Sequence, residues 1–294
     1  MANSIKTNFA AMTALQSLNT TNKNLEKTQN TISTGFKVNE AADNAAYWAI
    51  ATTLRSDTSA LSTVQDSLGL GAGQVDVAYT AVNNAIEIVK QIRDKLASAR
   101  QDTVDKKLVQ TDIDALQEQL VSVANAASYS GQNWLVSDSA ASAVGTAQIV
   151  SSYSRNAAGS ANIATIDVAL AGIRLFHNSV GGGTTSVLGT VYAIDVSAMT
   201  SGQIQSEMDK AAAAITSLTT VATTLGSVKS RISIQQTFVK DLRDAIGRGI
   251  SSLVDADMNE QSTKLQALQV QQQLGVQALS IANQSSQSIL RLFQ

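Results

Sequence analysis

A seven-residue apolar repeat occupies both ends of this chain, and no proline interrupts it anywhere. Near the start, alternate steps of four and three land on Ala11, Leu15, Leu18, Asn22, Leu25, Gln29 and Ile32. Gly35 follows, where a glycine that caps a helix C-terminus belongs. At the other end the repeat runs through Val254, Met258, Gln261, Leu265, Leu268, Gln272, Gly275, Leu279, Ala282, Ser286, Ile289 and Phe293. A helix of that length reaches roughly 60 Å at 1.5 Å per residue. Such seams demand helices that pack side by side. Average usage of about 5% would supply some fifteen prolines. Their absence lets helices run unkinked and removes slow X-Pro isomerisation from refolding.

The same repeat fills most of the interior. One seam runs Val75, Tyr79, Val82, Ile86, Val89, Arg93, Leu96, and another runs Val109, Ile113, Leu116, Leu120, Val123, Ala127. Polar "SARQDTVDKK" separates them, which predicts a helical hairpin turning near Arg100–Thr103 with Asp102 as N-cap. "GLGAG" at Gly69–Gly73 reads as a flexible joint between helical segments. The longest seam starts at Ile204 and passes through Met208, Ala211, Ile215, Leu218, Ala222 and Leu225 towards Leu253. Between residues 137 and 203 the chain turns Gly-, Ser-, Ala- and Thr-rich. There "ATIDVALAGIRLF" and "VLGTVYAIDV" read as strands.

The expected fold is therefore mainly α. It is an elongated bundle of coiled-coil-like helices from both chain ends, with a small β-containing central insert. The divisions fall at 1–42, 43–136, 137–203, 204–252 and 253–294. Val82, Ile86, Val89, Leu116, Leu120, Ile215, Leu218 and Leu225 are the expected core of the middle helices.

Catalytic and metal chemistry find little to work with. There is no cysteine, hence no disulfide, thiolate site or thiol nucleophile. His177 is the single histidine, too few for a His-x-x-x-His zinc site, and reads as a surface or partly packed residue of the insert. "GLGAG" lacks the spacing and preceding strand of a dinucleotide fingerprint. "DADMNE" at Asp255–Glu260 starts like a calcium loop but has Glu260 where glycine is required and Gln266 where glutamate is, so it reads as solvated helix face. Trp48 and Trp134 read as packing at helix ends rather than a ligand box. The formal net charge of -2 offers no footprint for nucleic acid or an acidic membrane. No stretch reads as long and apolar enough to span a bilayer. "MANSIKTNFAAMTALQSL" lacks the apolar run of a cleavable signal, so a cytoplasmic protein, or one exported by another route, is expected. No enzyme activity and no cofactor are expected.

The terminal stripes raise the question of who covers them. Leu15, Leu18, Leu25, Ile32, Leu265, Leu268, Leu279, Ile289 and Phe293 are the expected terminal core and subunit interface. Phe9, Met12, Leu274, Ile281, Leu290 and Leu292 fall off the seam. One pair of helices cannot bury both faces, and a large uncovered apolar face marks an interface. Other copies of the same chain, in head-to-tail contact, are the expected cover.

Three segments resemble bacterial flagellins: "LEKTQNTISTGFKVNEAADNAAYWAIATTLRSD" (25–57), "ASYSGQNWL" (127–135) and "LVDADMNEQSTKLQALQVQQQLGVQALSIANQSSQSILRLFQ" (253–294). They occur in the family's order at both ends. The resemblance implies a structural subunit of the extracellular flagellar filament. Residues 1–42 and 253–294 would line the tubular core, 43–136 and 204–252 the surrounding rod layer, and 137–203 a reduced outer domain. It further implies termini that order on assembly, and flagellar type III export without a cleaved signal peptide. The implied partners are the chain itself, sibling flagellins, an export chaperone on the C-terminal helix, and hook-associated and cap proteins. The innate-receptor epitope of many flagellins has a Gln-Arg-Val-Arg-Glu-Leu-Ala core. Here "VKQIRDKLAS" places Ile92 and Asp94 where arginine stands, which speaks against that recognition. A hook–filament junction protein and a cytoplasmic helical adaptor bundle are the alternatives.

Overall fold

The computed structural model describes residues 8–101, 103–136, 145–156, 159–177 and 186–292, with no account of the side chains of 285–292. Its long helices are α1 (Phe9–Thr34), α2 (Ala45–Ala99), α3 (Lys106–Ala126), α5 (Ser201–Val254) and α6 (Met258–Leu292). Between α3 and α5 lie two antiparallel hairpins, β1 (Ser128–Tyr129) with β2 (Gln132–Asn133) and β3 (Thr146–Arg155) with β4 (Ala161–Ala169). A short helix α4 (Gly189–Tyr192) follows. The fold is mainly α, with long helices from both ends and a small strand-containing insert, as the seams require. Residues 1–58 with 244–294 form one compact unit and residues 59–243 a second.

In the first unit, α1 and α6 pair antiparallel. Asn8 caps α1 by accepting the Ala11 N–H at 3.0 Å, and its own Nδ2 donates to the Ala282 carbonyl at 3.0 Å. α1 ends at Gly35, whose φ of 77° is left-handed and whose N–H returns to Thr31. The α6 seam is Gln261, Leu265, Leu268, Gln272, Gly275, Leu279 and Ala282, as expected. The α1 seam is shifted at alternate positions. Ala14, Thr21 and Thr28 face the partner where Leu15, Asn22 and Gln29 were expected. Thr28 sits in the seam because its hydroxyl donates to its own helix at Asn24 O (2.8 Å), leaving the methyl to pack.

The second unit is built on α3 and the parts of α2 and α5 within 59–243. Its α2 seam runs Val75, Ala78, Val82, Ala85, Val89, Ile92, Leu96 and Ala99, and its α5 seam Ile204, Glu207, Ala211, Ala214, Leu218, Val221 and Leu225. Both repeat the correction seen in α1: every seventh residue is placed as expected, and the intervening one lies a residue earlier. The buried interveners are mostly alanines, whose small side chains let helix backbones approach closely. Tyr79, Ile86, Met208 and Ile215 are half-buried on the seam's flank.

Five further expectations are corrected. α2 passes through Gly69–Gly73 as unbroken helix rather than a joint. The α3 N-cap is Asp105, which accepts the Lys107 N–H at 3.0 Å; Asp102 lies outside the described residues. Val187–Val196 contains α4 instead of a strand, because Leu188, Val191 and Ile194 recur every three residues and are all buried. The calcium-like segment is exposed helix face only from Met258 on: α5 stops at Val254, and Asp257 caps α6 by accepting the Asn259 N–H at 2.9 Å. α5 also holds an 18-residue window of mean hydropathy 1.3, enough by length and composition alone for a membrane crossing, contrary to expectation. Within the uncharged stretch between Lys210 and Lys229, however, Ala211, Ala214, Leu218, Val221, Leu225 and Val228 are buried in the second unit.

α3 holds the end of the insert through polar side chains. Buried Gln117 donates from Nε2 to the Val191 and Ile194 carbonyls at 3.0 Å each. Gln110 Oε1 accepts the Val196 N–H at 2.7 Å, and Lys106 Nζ donates to Met199 O at 2.9 Å. Phe176 and Tyr192 meet edge to face at 6.4 Å.

Candidate assembly interface

The α1–α6 pair mixes small and large side chains in a mostly half-buried seam and leaves further large ones outside. Its seam includes Ala11, Ala14, Gly275 and Ala282, and Leu18 packs directly over Gly275. Leu268 is buried, while Leu18, Leu25, Ile32, Leu265 and Leu279 are half-buried. Asn22 and Gln272 close the flank, with Gln272 Nε2 donating to Asn22 Oδ1 at 2.8 Å. Leu15 does not join the seam and is 48% exposed. Of the remaining expected terminal residues, Phe293 and the side chain of Ile289 lie outside the described residues.

Around this thin seam large apolar residues stand exposed among polar ones. Phe9 is 65% exposed, Met12 59%, Leu274 58% and Ile281 67%. Val270 and Val276 join them, two residues that the heptad reading passed over although Val270 and Leu274 share a face at i, i+4. An open groove of about 570 Å³ runs along α1 from Phe9 to Lys23. Leaving a leucine or phenylalanine in water forfeits about 1.5–3 kcal/mol relative to burying it. This surface is therefore costly in a lone molecule and becomes favourable once covered.

The chain segments joining the helices make a second apolar cluster in the same unit. Val38, Ala51 and Val254 are buried, with Phe36, Ile250 and Leu253 packed on them. Phe36 bridges Asp255 antiparallel, Lys37 N–H donates to Val254 O at 2.7 Å, and Ala256 N–H donates to Gly35 O at 2.9 Å. The first of these bonds satisfies the last carbonyl of α5, which a helix end leaves open, and the second satisfies the carbonyl of the α1 C-cap. The Arg55 guanidinium lies 5.2 Å from the centroid of the Phe36 ring. Asp43 ties down the turn before α2: its carboxylate meets Lys27 Nζ at 2.9 Å and accepts the Asn39 N–H at 3.1 Å. The Lys27 bond first, then the Asn39 N–H, hold this carboxyl below the usual carboxylate range. Beside this cluster, Tyr47, Trp48 and Ile50 on α2 are exposed.

Among the expected core residues of the middle helices, Val82, Val89, Leu120, Leu218 and Leu225 are buried, and Ile86, Leu116 and Ile215 are half-buried. Trp134 is buried, while Trp48 is not. His177 is partly buried, as a residue of the insert. No group of three or more His, Cys, Asp and Glu among the described residues could hold a metal ion.

Comparison with known proteins bears directly on this surface. The bacterial flagellin N-terminal helical region matches residues 5–140, and the bacterial flagellin C-terminal helical region matches residues 208–293. Flagellin C of Rhizobium meliloti strain 1021 is 46% identical over 319 aligned residues, covering 99% of either chain. A flagellin of Brucella melitensis biotype 1 is 44% identical over 309, again with 99% of each covered. Flagellin B of Rhizobium meliloti is 37% identical over an alignment of 394 positions, longer than this whole chain. With the family's helical regions at both ends and an end-to-end likeness of 44–46% to curated flagellins, the chain belongs to the bacterial flagellins and is a structural subunit of the flagellar filament.

Proposed function

We propose that the outer faces of α1 and α6 are where neighbouring copies bind as the chain polymerises into the extracellular filament. The observation that carries this is that Phe9, Met12, Leu274 and Ile281 stay exposed outside a seam that is itself mostly half-buried. Leu18, Leu25, Ile32, Leu265, Leu268 and Leu279 form the seam that holds the two helices together, and Leu15 belongs to the outer face. The alanines, glycine, threonines and glutamines interspersed among them make the pair marginal on its own. Ordering of the terminal helices is thereby coupled to assembly.

The experiment is Leu274→Glu in the full chain. Burying one leucine at a contact is worth about 2 kcal/mol, roughly 30-fold in an equilibrium constant. Polymerisation onto filament seeds then needs at least that much more protein, while monomer unfolding is unchanged because Leu274 is already exposed. Normal filament growth at wild-type concentrations would overturn the assignment.

Family membership also supports flagellar export without a cleaved leader, delivery by a chaperone that covers α6, and contact with hook-associated and cap proteins at the filament's ends. Intact mass and N-terminal sequence of protein from sheared filaments test the export route: a chain beginning at Met1 or Ala2 fits it, and one shortened by a signal peptide's length does not.

A further inference from the structure

The structure assigns Gly71 and Gly73 of α2 a docking role: they are a notch that seats the β1–β2 hairpin and the β3–β4 hairpin of the central insert. The two residues lie in unbroken helix, where glycine is about 0.5–1 kcal/mol worse than alanine. Something other than helix formation must favour them.

The hairpins supply it. A Cβ built on Gly71 would lie 2.5 Å from Ile149 Cγ2 and 2.9 Å from Ile149 Cδ1, closer than real Cβ atoms come to anything. Ile149 is 5% exposed and pairs across the hairpin with Ile166, 4% exposed. The β3–β4 register shifts just beyond it, between Val150 and Ser152. Such a bulge bends a strand and re-aims its side chains. A Cβ on Gly73 would lie 3.0 Å from Tyr129 Cζ, in the β1–β2 hairpin. The neighbouring Gln74 donates to Gln132 Oε1 of that hairpin at 3.3 Å. One turn of α2 therefore receives a knob from each hairpin. Gly69, on the same helix, has nothing within 4 Å of its would-be Cβ.

Gly71 lies within the matched N-terminal flagellin region, 5–140, and Ile149 lies between the two matched regions. At Gly71 the matched helical frame thus meets the insert that lies between the two matched regions. An isoleucine can turn a rotamer but cannot move three carbons lying 2.5–3.1 Å from the added Cβ out of the way at once while buried. At Gly73 the contact is with a ring that can swing, so the constraint there is softer.

The opposing effects of propensity and notch give the test a sign. The full chain is kept dilute and monomeric, and the thermal midpoint and the rate of protease cleavage within 137–203 are measured. Gly69→Ala should raise the midpoint by about 1–4 °C, as helix propensity alone dictates. Gly71→Ala should lower it and speed cleavage of the insert severalfold. Adding Ile149→Ala to Gly71→Ala should recover midpoint and protection, whereas Ile149→Ala alone should lower both. If Gly71→Ala matches or exceeds the wild type, or if the double variant is no better than Gly71→Ala, the notch is refuted. Should Gly71→Ala fail to fold, the double variant must fold, and its failure would equally refute the assignment.

Discussion

Asp43 shows how one side chain fastens a turn that no helix repeat specifies. Its carboxylate collects Lys27 and the Asn39 N–H, and both favour the ionised form, so the folded protein holds its pKa below 3.8. A carboxyl whose pKa falls on folding stabilises the fold above its unfolded pKa, and that contribution fades as pH drops through the folded value. Asp43→Asn should therefore cost about 0.5–1 kcal/mol at pH 7, the scale of a partly exposed pair with one backbone bond. The gap between wild type and variant should narrow as pH falls below about 5 and vanish only once pH has dropped through the lowered folded value. Paired urea titrations across that range check it; a gap independent of pH would remove the ionic account. Leu15 teaches a different lesson. By size and apolarity it looked like a seam residue, yet Ala14 took the place. Two positions, three and four residues on, compete for every second slot of a heptad. Apolarity does not choose between them, because the small residue permits the closer approach and the large one can serve a different neighbour.

Among the elements, the long helices were legible because their apolar spacing repeats over many turns. Their ends were legible only where a cap residue announced them. Gly35 did so: its φ of 77° is a conformation that costs a side chain about 1 kcal/mol. Gly35→Ala should lower the unfolding free energy of the full chain by about that amount, measured by denaturant titration, and a neutral substitution would mean the turn had moved. The break between α5 and α6 was not legible, since the apolar repeat merely changes phase there and the residues that enforce the stop, Phe36 and Lys37, are distant in sequence. β3 escaped notice for a related reason. In "TAQIVSSYSR" only Ile149 and Ser151 are buried, so there is no alternation of large apolar residues to see.

For the molecule as a whole, the chain's identity as a filament subunit was readable from its ends, where the resemblance lay and the matched regions fall. With no proline in the chain, refolding of the monomer diluted from urea should show no phase of tens to hundreds of seconds that a prolyl isomerase accelerates. Stopped-flow and manual mixing with added isomerase test this, and an isomerase-sensitive phase would contradict it. By itself the amino-acid order determined that the chain is helical at both ends, that each end carries more apolar surface than one seam can hide, and that no cysteine chemistry is available. These are properties of spacing and composition, carried locally by every few residues. Which of two adjacent residues enters a seam, where α5 stops, and why α2 keeps glycines in mid-helix were decided only by tertiary packing. Each depends on how near a remote segment comes, and that distance is written in no local stretch of the chain.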